Sequence, residues 1–196
     1  MATRIEPLMT VDDLDAMPED GNRYEVIEGE LFVSRAPGLP HQLVSVNVLY
    51  ELRKYLDQHS IGTVVPTPGL ILSKYSGVIP DIVFFTHARG AEIIANDRLN
   101  AAPELVIEIL SPGRENLARD RVAKRQLYAK HSVREYWIVD SQNRAVEVYR
   151  LQNSILESVV ILRGDEEISS PLLTGFRCAV ADFLSQLGRA NQLAVS

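Results

Sequence analysis

The sequence predicts an α/β fold built on a central mixed β-sheet with helices against its faces, and three observations predict it. The elements come as a helix, several strands, a crossover helix and strands again, an order that layers helices on a sheet. Residues 104–110 are apolar on both faces of an extended chain: Leu105, Ile107 and Ile109 point one way, and Glu104, Val106, Glu108 and Leu110 point the other. Between His41 and Gln58, Val44, Val48, Leu52, Tyr55 and Leu56 recur at helical intervals, which makes this segment an amphipathic helix packed on the sheet.

The 196 residues, 46% hydrophobic and 23% charged, are enough for one well-buried domain, and a single domain over 1–196 is expected. No apolar run approaches the ~20 residues of a membrane span, and the N-terminus lacks the apolar core of a secretory signal, so the expected setting is cytoplasmic, without a membrane. The one cysteine, Cys178, can form neither an internal disulfide nor a CxxC pair. A net charge of −6 argues against a protein that coats nucleic acid non-specifically. Yet Arg114 to Arg134 holds seven Lys and Arg against two acids, a local +5. Such a run is either an anion-facing patch or a solvated helix face.

In chain order, Thr10 is an N-cap for a short helix with Asp12 and Asp13 in its first turn, ending near Pro18. Arg23 to Ser34 is a β-hairpin turning at Glu28-Gly29, with Tyr24, Val26, Leu31 and Val33 as its β-formers. Glu25 and Glu28 lie on it. His41 falls in the first turn of the following helix, on the inward edge, where it can donate to a phosphate or carboxylate. Gly62 to Ser73 is a strand, a Pro-rich turn and a strand; Val78 to Phe85 is a further strand, with Asp81 directly after Pro80. Residues 86–103 are expected to be irregular.

Glu108 is the residue hardest to explain as scenery, because a carboxylate among apolar neighbours is costly unless it is paired or binds a cation. A helix from Leu117 to His131 follows. It places Asp120, Lys124 and Tyr128 at i, i+4 and i+8, with Asp120 suitably placed to pair with Lys124. Val133 to Asp140 and Ala145 to Leu151 form an antiparallel hairpin, Leu156 to Leu162 another strand, Gly164 to Glu167 a turn, and Ala181 to Leu187 a closing helix.

Two acids at strand ends and a lysine on the next helix suit phosphodiester hydrolysis. That chemistry needs a charge clamp on the phosphate and an activated water, and Mg²⁺ or Mn²⁺ held by one or two carboxylates supplies both. A paired-carboxylate glycosidase is the weaker alternative, since the chain has one tryptophan and no evident sugar-stacking platform.

The segments E-V-I-E-G-E-L, P-G-L-P-H, P-D-I-V-F-F, E-L-V-I-E-I-L-S-P, D-R-V-A-K-R-Q-L-Y and V-R-E-Y-W-I-V-D, in this order, resemble the bacterial putative restriction endonuclease-like family of the PD-(D/E)XK nuclease superfamily. The resemblance runs from about residue 24 to about 176. It implies a restriction-endonuclease-like core with added N-terminal and C-terminal hairpins, hydrolysing DNA. It also implies a divalent metal held by Asp81, Glu108 and the backbone carbonyl of Ile109. The superfamily lysine two residues after the Glu is absent, since Leu110 stands there, and Lys124 fits the relatives in which that lysine lies on the following helix. Glu25 then approaches the metal from the hairpin, with Glu28 as its competitor, while His41, Asp120 and Tyr128 support the site or bind phosphate. A homodimer suits two cuts on two strands. The alternative is an inactive member that binds nucleic acid or self-associates.

Overall fold

The computed structural model describes residues 8–185. The elements are α1 (Val11–Leu14), β1 (Arg23–Ile27), β2 (Glu30–Ser34), α2 (Leu39–Leu56), β3 (Gly62–Pro66), β4 (Leu70–Ser73), β5 (Ser76–Val78), β6 (Ile82–Thr86), α3 (His87–Ile93), β7 (Ile94–Ala95), β8 (Arg98–Leu99), β9 (Leu105–Ile109), α4 (Arg114–Ala118), a π-helical turn (Arg119–Lys124), α5 (Arg125–Lys130), β10 (Glu135–Asp140), β11 (Ala145–Gln152), β12 (Ile155–Arg163), β13 (Glu167–Ser170), β14 (Leu173–Ala179) and α6 (Val180–Phe183). The central sheet is mixed and six-stranded, in the order β12-β11-β10-β9-β6-β3. Its one parallel pair is β9 with β10, which the crossover through α4, the π turn and α5 connects.

The alternation along β9 divides the interior as the sequence predicts. Leu105, Ile107 and Ile109 join Val44, Val48, Leu52 and Leu56 of α2 in one apolar cluster, which extends to Trp137 and Phe183. Val106 and Leu110 join Leu127, Tyr128, Tyr136 and Ile138 in a second cluster on the opposite face. Glu108 has the parity of this second face, beneath the π turn and α5.

The N-terminal hairpin is more than an addition to this sheet. β1 and β2 continue into a second six-stranded sheet, in the order β2-β1-β5-β4-β8-β7, whose Ile27, Leu70 and Val78 close over the second cluster. Hydrogen bonds tie the hairpin turn to residue 75: the Gly29 N–H donates to the Tyr75 carbonyl at 2.8 Å. This docking carries Glu25 from a locally written hairpin to the centre of the molecule.

Several expectations need correcting. The strand expected over Val78–Phe85 is divided between two sheets, β5 and β6, with Pro80 and Asp81 at the break. Proline supplies no N–H for a ladder, and the chain changes sheets there. Residues 86–103 are not irregular: the Thr86 hydroxyl caps α3 by accepting the Arg89 N–H, and Asn96 and Asp97, at φ 52° and 58°, turn a small hairpin between β7 and β8. The crossover helix begins at Arg114 instead of Leu117 and is π-helical in its middle. The closing helix is α6, Val180–Phe183; Leu187, where it was expected to end, lies outside the described residues. Among the described residues, no helix is long and apolar enough to cross a membrane.

Candidate active site

A polar cleft of about 380 Å³ opens where β1, the Pro80-Asp81 break, the end of β9, the start of α2 and the π turn meet, and Glu25, Asp81, Glu108 and Lys124 all line it. Each arrives from a different element. Glu108 comes from the carboxyl-terminal part of β9 and is 2% exposed. Its Oε1 accepts from Lys124 Nζ at 2.9 Å and from the Tyr128 hydroxyl at 2.8 Å. Its Oε2 meets only the Asp81 N–H, at 3.4 Å. Burial pushes the Glu108 carboxyl up to about 8, against the pull of Lys124 and with the repulsion of Asp81, Asp120 and Glu25 added to it.

Asp81 takes its position from the Pro80 break. Extending the antiparallel register, Ile82 against Ile107, sets Pro80 across from Ile109. Proline has no N–H to give the Ile109 carbonyl, so that oxygen loses its ladder donor at the floor of the cleft. The Ile109 N–H turns instead to Asp81 Oδ2 at 2.9 Å, and His41 Nε2 meets the same oxygen at 3.0 Å. Arg23 Nη1 lies 3.3 Å from the other oxygen, Oδ1. Burial opposes ionisation of Asp81, but the hydrogen bond and charge of His41, the Ile109 N–H and Lys124 hold its carboxyl below the usual range.

Glu25 is buried on β1. Its Oε1 accepts the Ile79 N–H at 2.8 Å and Lys124 Nζ at 2.9 Å. Lys124, 1% exposed, is therefore clamped between two carboxylates. Burial alone would lower its pKa; Glu108 and Glu25 outweigh this and hold the ammonium charged, above the ordinary lysine value. The site places Lys124 beside Glu108 and leaves Leu110 in the apolar cluster.

Most of the basic run is engaged in ion pairs with acids of this chain, Lys124 and Arg119 in the interior and Lys130 at the surface. Arg119 reaches Glu25 at 3.8 Å and Asp120 at 2.8 Å, Arg121 reaches Asp140 at 2.8 Å, and Lys130 reaches Glu28 at 2.7 Å. The expected pair of Asp120 with Lys124 does not form: Asp120 is held by Arg119 and lies behind the site. The π turn is the physical reason. Where hydrogen bonds run to i+5, residues five apart fall into line, so Arg119 and Lys124 both face Glu25, while Tyr128 follows Lys124 at the ordinary α interval.

Of the other residues expected at the site, His41 and Tyr128 stand beside it. Glu28 does not: at φ 51° in the hairpin turn, it points to Lys130 and is half exposed. The sequence reading missed Arg23 and Arg119. Arg23 carried a usable signal, because strand alternation puts it on the same face as Glu25. Arg119 carried none, since no local pattern announces a π turn.

Among the described residues, no group of three or more His, Cys, Asp and Glu side chains is gathered to hold a metal ion by itself. The carboxylates of Asp81 and Glu108 and the backbone of Ile109 nevertheless meet at the cleft, beside Glu25. This all-oxygen set, with water completing the shell, fits a hard divalent cation such as Mg²⁺ or Mn²⁺.

A mixed sheet with a helical crossover, one acid at a strand break, another on the neighbouring strand and a lysine on the crossover is consistent with a restriction-endonuclease-like fold. The chain belongs to the Uma2 family, described as "Putative restriction endonuclease", whose model matches residues 11–181. Among solved structures, the chain is similar to a "putative nuclease belonging to DUF820" from Anabaena variabilis, with TM-score 0.72 and 21% identity over 90% of this chain and 98% of that one. The type IIG restriction endonuclease BpuSI matches at TM-score 0.42 and 15% identity, over 78% of this chain and 16% of that one. No curated protein matches the chain.

Proposed function

We propose that the chain is a metal-dependent endonuclease that hydrolyses DNA phosphodiester bonds, with Asp81, Glu108 and the Ile109 carbonyl as metal ligands and Lys124 and Glu25 as the remaining catalytic groups. The observation that carries this is the convergence of three acids and one lysine, from four separate elements, on one cleft. When bound, Mg²⁺ or Mn²⁺ would supply charge neutralisation at the scissile phosphate and an acidified water. The chain's own residues supply orientation. Lys124, fixed by Glu25 and Glu108, presents an ammonium group to a water or to charge developing on the phosphate. Tyr128 fixes the rotation of Glu108 by donating to Oε1, which leaves Oε2 for the cleft. His41 and the Ile109 N–H do the same for Asp81, leaving Oδ1.

Lys124 beside Glu108 supports catalysis over the inactive, nucleic-acid-binding or self-associating alternative that Leu110 suggests. The family's description as a restriction endonuclease supports DNA as substrate. Purified protein with Mn²⁺ is expected to nick and linearise plasmid DNA, and Asp81→Ala to abolish this. Equal trace activity in wild type and variant would remove the catalytic claim. A homodimer completes the proposal: Leu39, Val46 and Tyr50 of α2 are 61%, 62% and 63% exposed on an uncharged stretch, a face that a second copy would cover. Light scattering should give twice the chain mass of 21.9 kDa, falling to the monomer in Val46→Glu.

A further inference from the structure

We infer that Arg23 is a built-in counter-cation, one that holds Asp81 in place while no metal is bound and that the metal must displace. This rests on the metal-dependent reading and adds a control to the same site. The two acids share a design. Each has one oxygen anchored by donors built into the fold: Asp81 Oδ2 by the Ile109 N–H and His41, and Glu108 Oε1 by Lys124 and Tyr128. Each turns its other oxygen towards the cleft. At Glu108 that oxygen has only the 3.4 Å contact with the Asp81 N–H. At Asp81 it is Oδ1, and Arg23 stands on it at 3.3 Å.

Arg23 differs from the anchoring groups in being removable. Its side chain is 25% exposed, against 2% for Lys124, and its contact is longer than those that hold Oδ2. It is the first residue of β1, so its stem projects from the rim of the cleft while Glu25, two residues on, is fixed inside. A guanidinium 3.3 Å from Oδ1 repels a divalent cation arriving at the same oxygen, so the two compete for it. Metal entry therefore breaks this ion pair and frees a guanidinium at the mouth of the cleft.

The test is calorimetric titration of Mn²⁺ into the full chain, without DNA. Arg23→Met keeps the aliphatic stem and removes the competing charge; it should bind Mn²⁺ on the order of fivefold tighter than wild type, the size of a partly exposed ion pair. Arg23→Lys, which keeps a cation there, should stay near the wild-type affinity. Asp81→Asn should abolish binding in both backgrounds. A second readout is thermal: without metal, Arg23→Met should melt below wild type, and Mn²⁺ should raise its Tm by more. If Asp81→Asn abolishes binding but Arg23→Met binds no tighter than wild type, the counter-cation role is overturned and the metal site stands. If neither wild type nor Arg23→Met binds Mn²⁺, the metal-dependent reading falls and the inference falls with it.

Discussion

Two buried glutamates on neighbouring strands, Glu108 of β9 and Glu135 of β10, show how differently one sheet can use the same side chain. The register sets Glu135 against Leu105 and Glu108 against Ile138, so the acids lie towards opposite ends of the only parallel pair in the central sheet. Both are almost inaccessible, at 2% and 1% exposure. Burial raises both pKa values, and for Glu108 three neighbouring acids add to the rise. Glu135 is closed off: Trp137 Nε1 donates to Oε1 at 2.7 Å, the Ser170 hydroxyl donates to Oε2 at 3.0 Å, and Arg150 stands 3.5 Å away. Glu108 lies at the carboxyl end of its strand, where ligands of open α/β sheets gather, and faces a cleft it shares with other acids. A buried acid is therefore not a site by its burial. What separates the two is the company of like charges around Glu108, a feature enriched at functional sites.

The contrast can be broken most forcefully at Lys124. Lys124→Met strands two carboxylates in the interior, and a buried pair that loses one partner costs about 3–5 kcal/mol, so urea unfolding should show a loss of that size. A loss below ~1 kcal/mol would mean that Glu25 and Glu108 do not depend on this charge.

Paired amide substitutions sharpen the comparison. Glu108→Gln should lower Mn²⁺-dependent DNA cleavage by roughly a hundredfold or more while leaving stability at pH 5 close to wild type, since the amide oxygen still accepts from Lys124 and Tyr128. Glu135→Gln should leave cleavage unchanged. The reverse outcome would exchange the roles assigned to the two acids.

The pH dependence follows from the raised carboxyl of Glu108. Its folded pKa, about 8, lies above the unfolded glutamate value of 4.5, so the native state holds its proton more tightly across that interval. Stability contributed this way is complete below the unfolded value and is lost as pH rises towards about 8. Wild type should therefore lose stability relative to Glu108→Gln between pH 5 and pH 8, read by urea unfolding at both; a constant difference would contradict the raised pKa. The smallest effect belongs to Glu28→Gln, which breaks an exposed pair with Lys130 and should cost less than ~1 kcal/mol, with cleavage unaffected.

The sequence by itself determined most of the local elements and singled out the buried acid of β9. Period-two alternation located β9, showed that both its faces are buried and isolated Glu108; period-3.6 spacing located α2; Pro80 signalled a strand start or edge beside Asp81, though not the change of sheet there. Local chemistry was also present but unread in the turn residues Asn96 and Asp97 and in the parity shared by Arg23 and Glu25. Tertiary structure alone decided the rest. The sequence put Glu28 at the hairpin turn and Glu25 on the strand before it, but only the docking of β1 on β5 buries Glu25. The π turn replaced Asp120 by Arg119 on the face towards Glu25, and long-range pairing drew Arg119 and Lys124 out of the basic run into the interior. These outcomes depend on residues brought together across long stretches of chain, where the cost of burying one charge is met by another that no local period can announce.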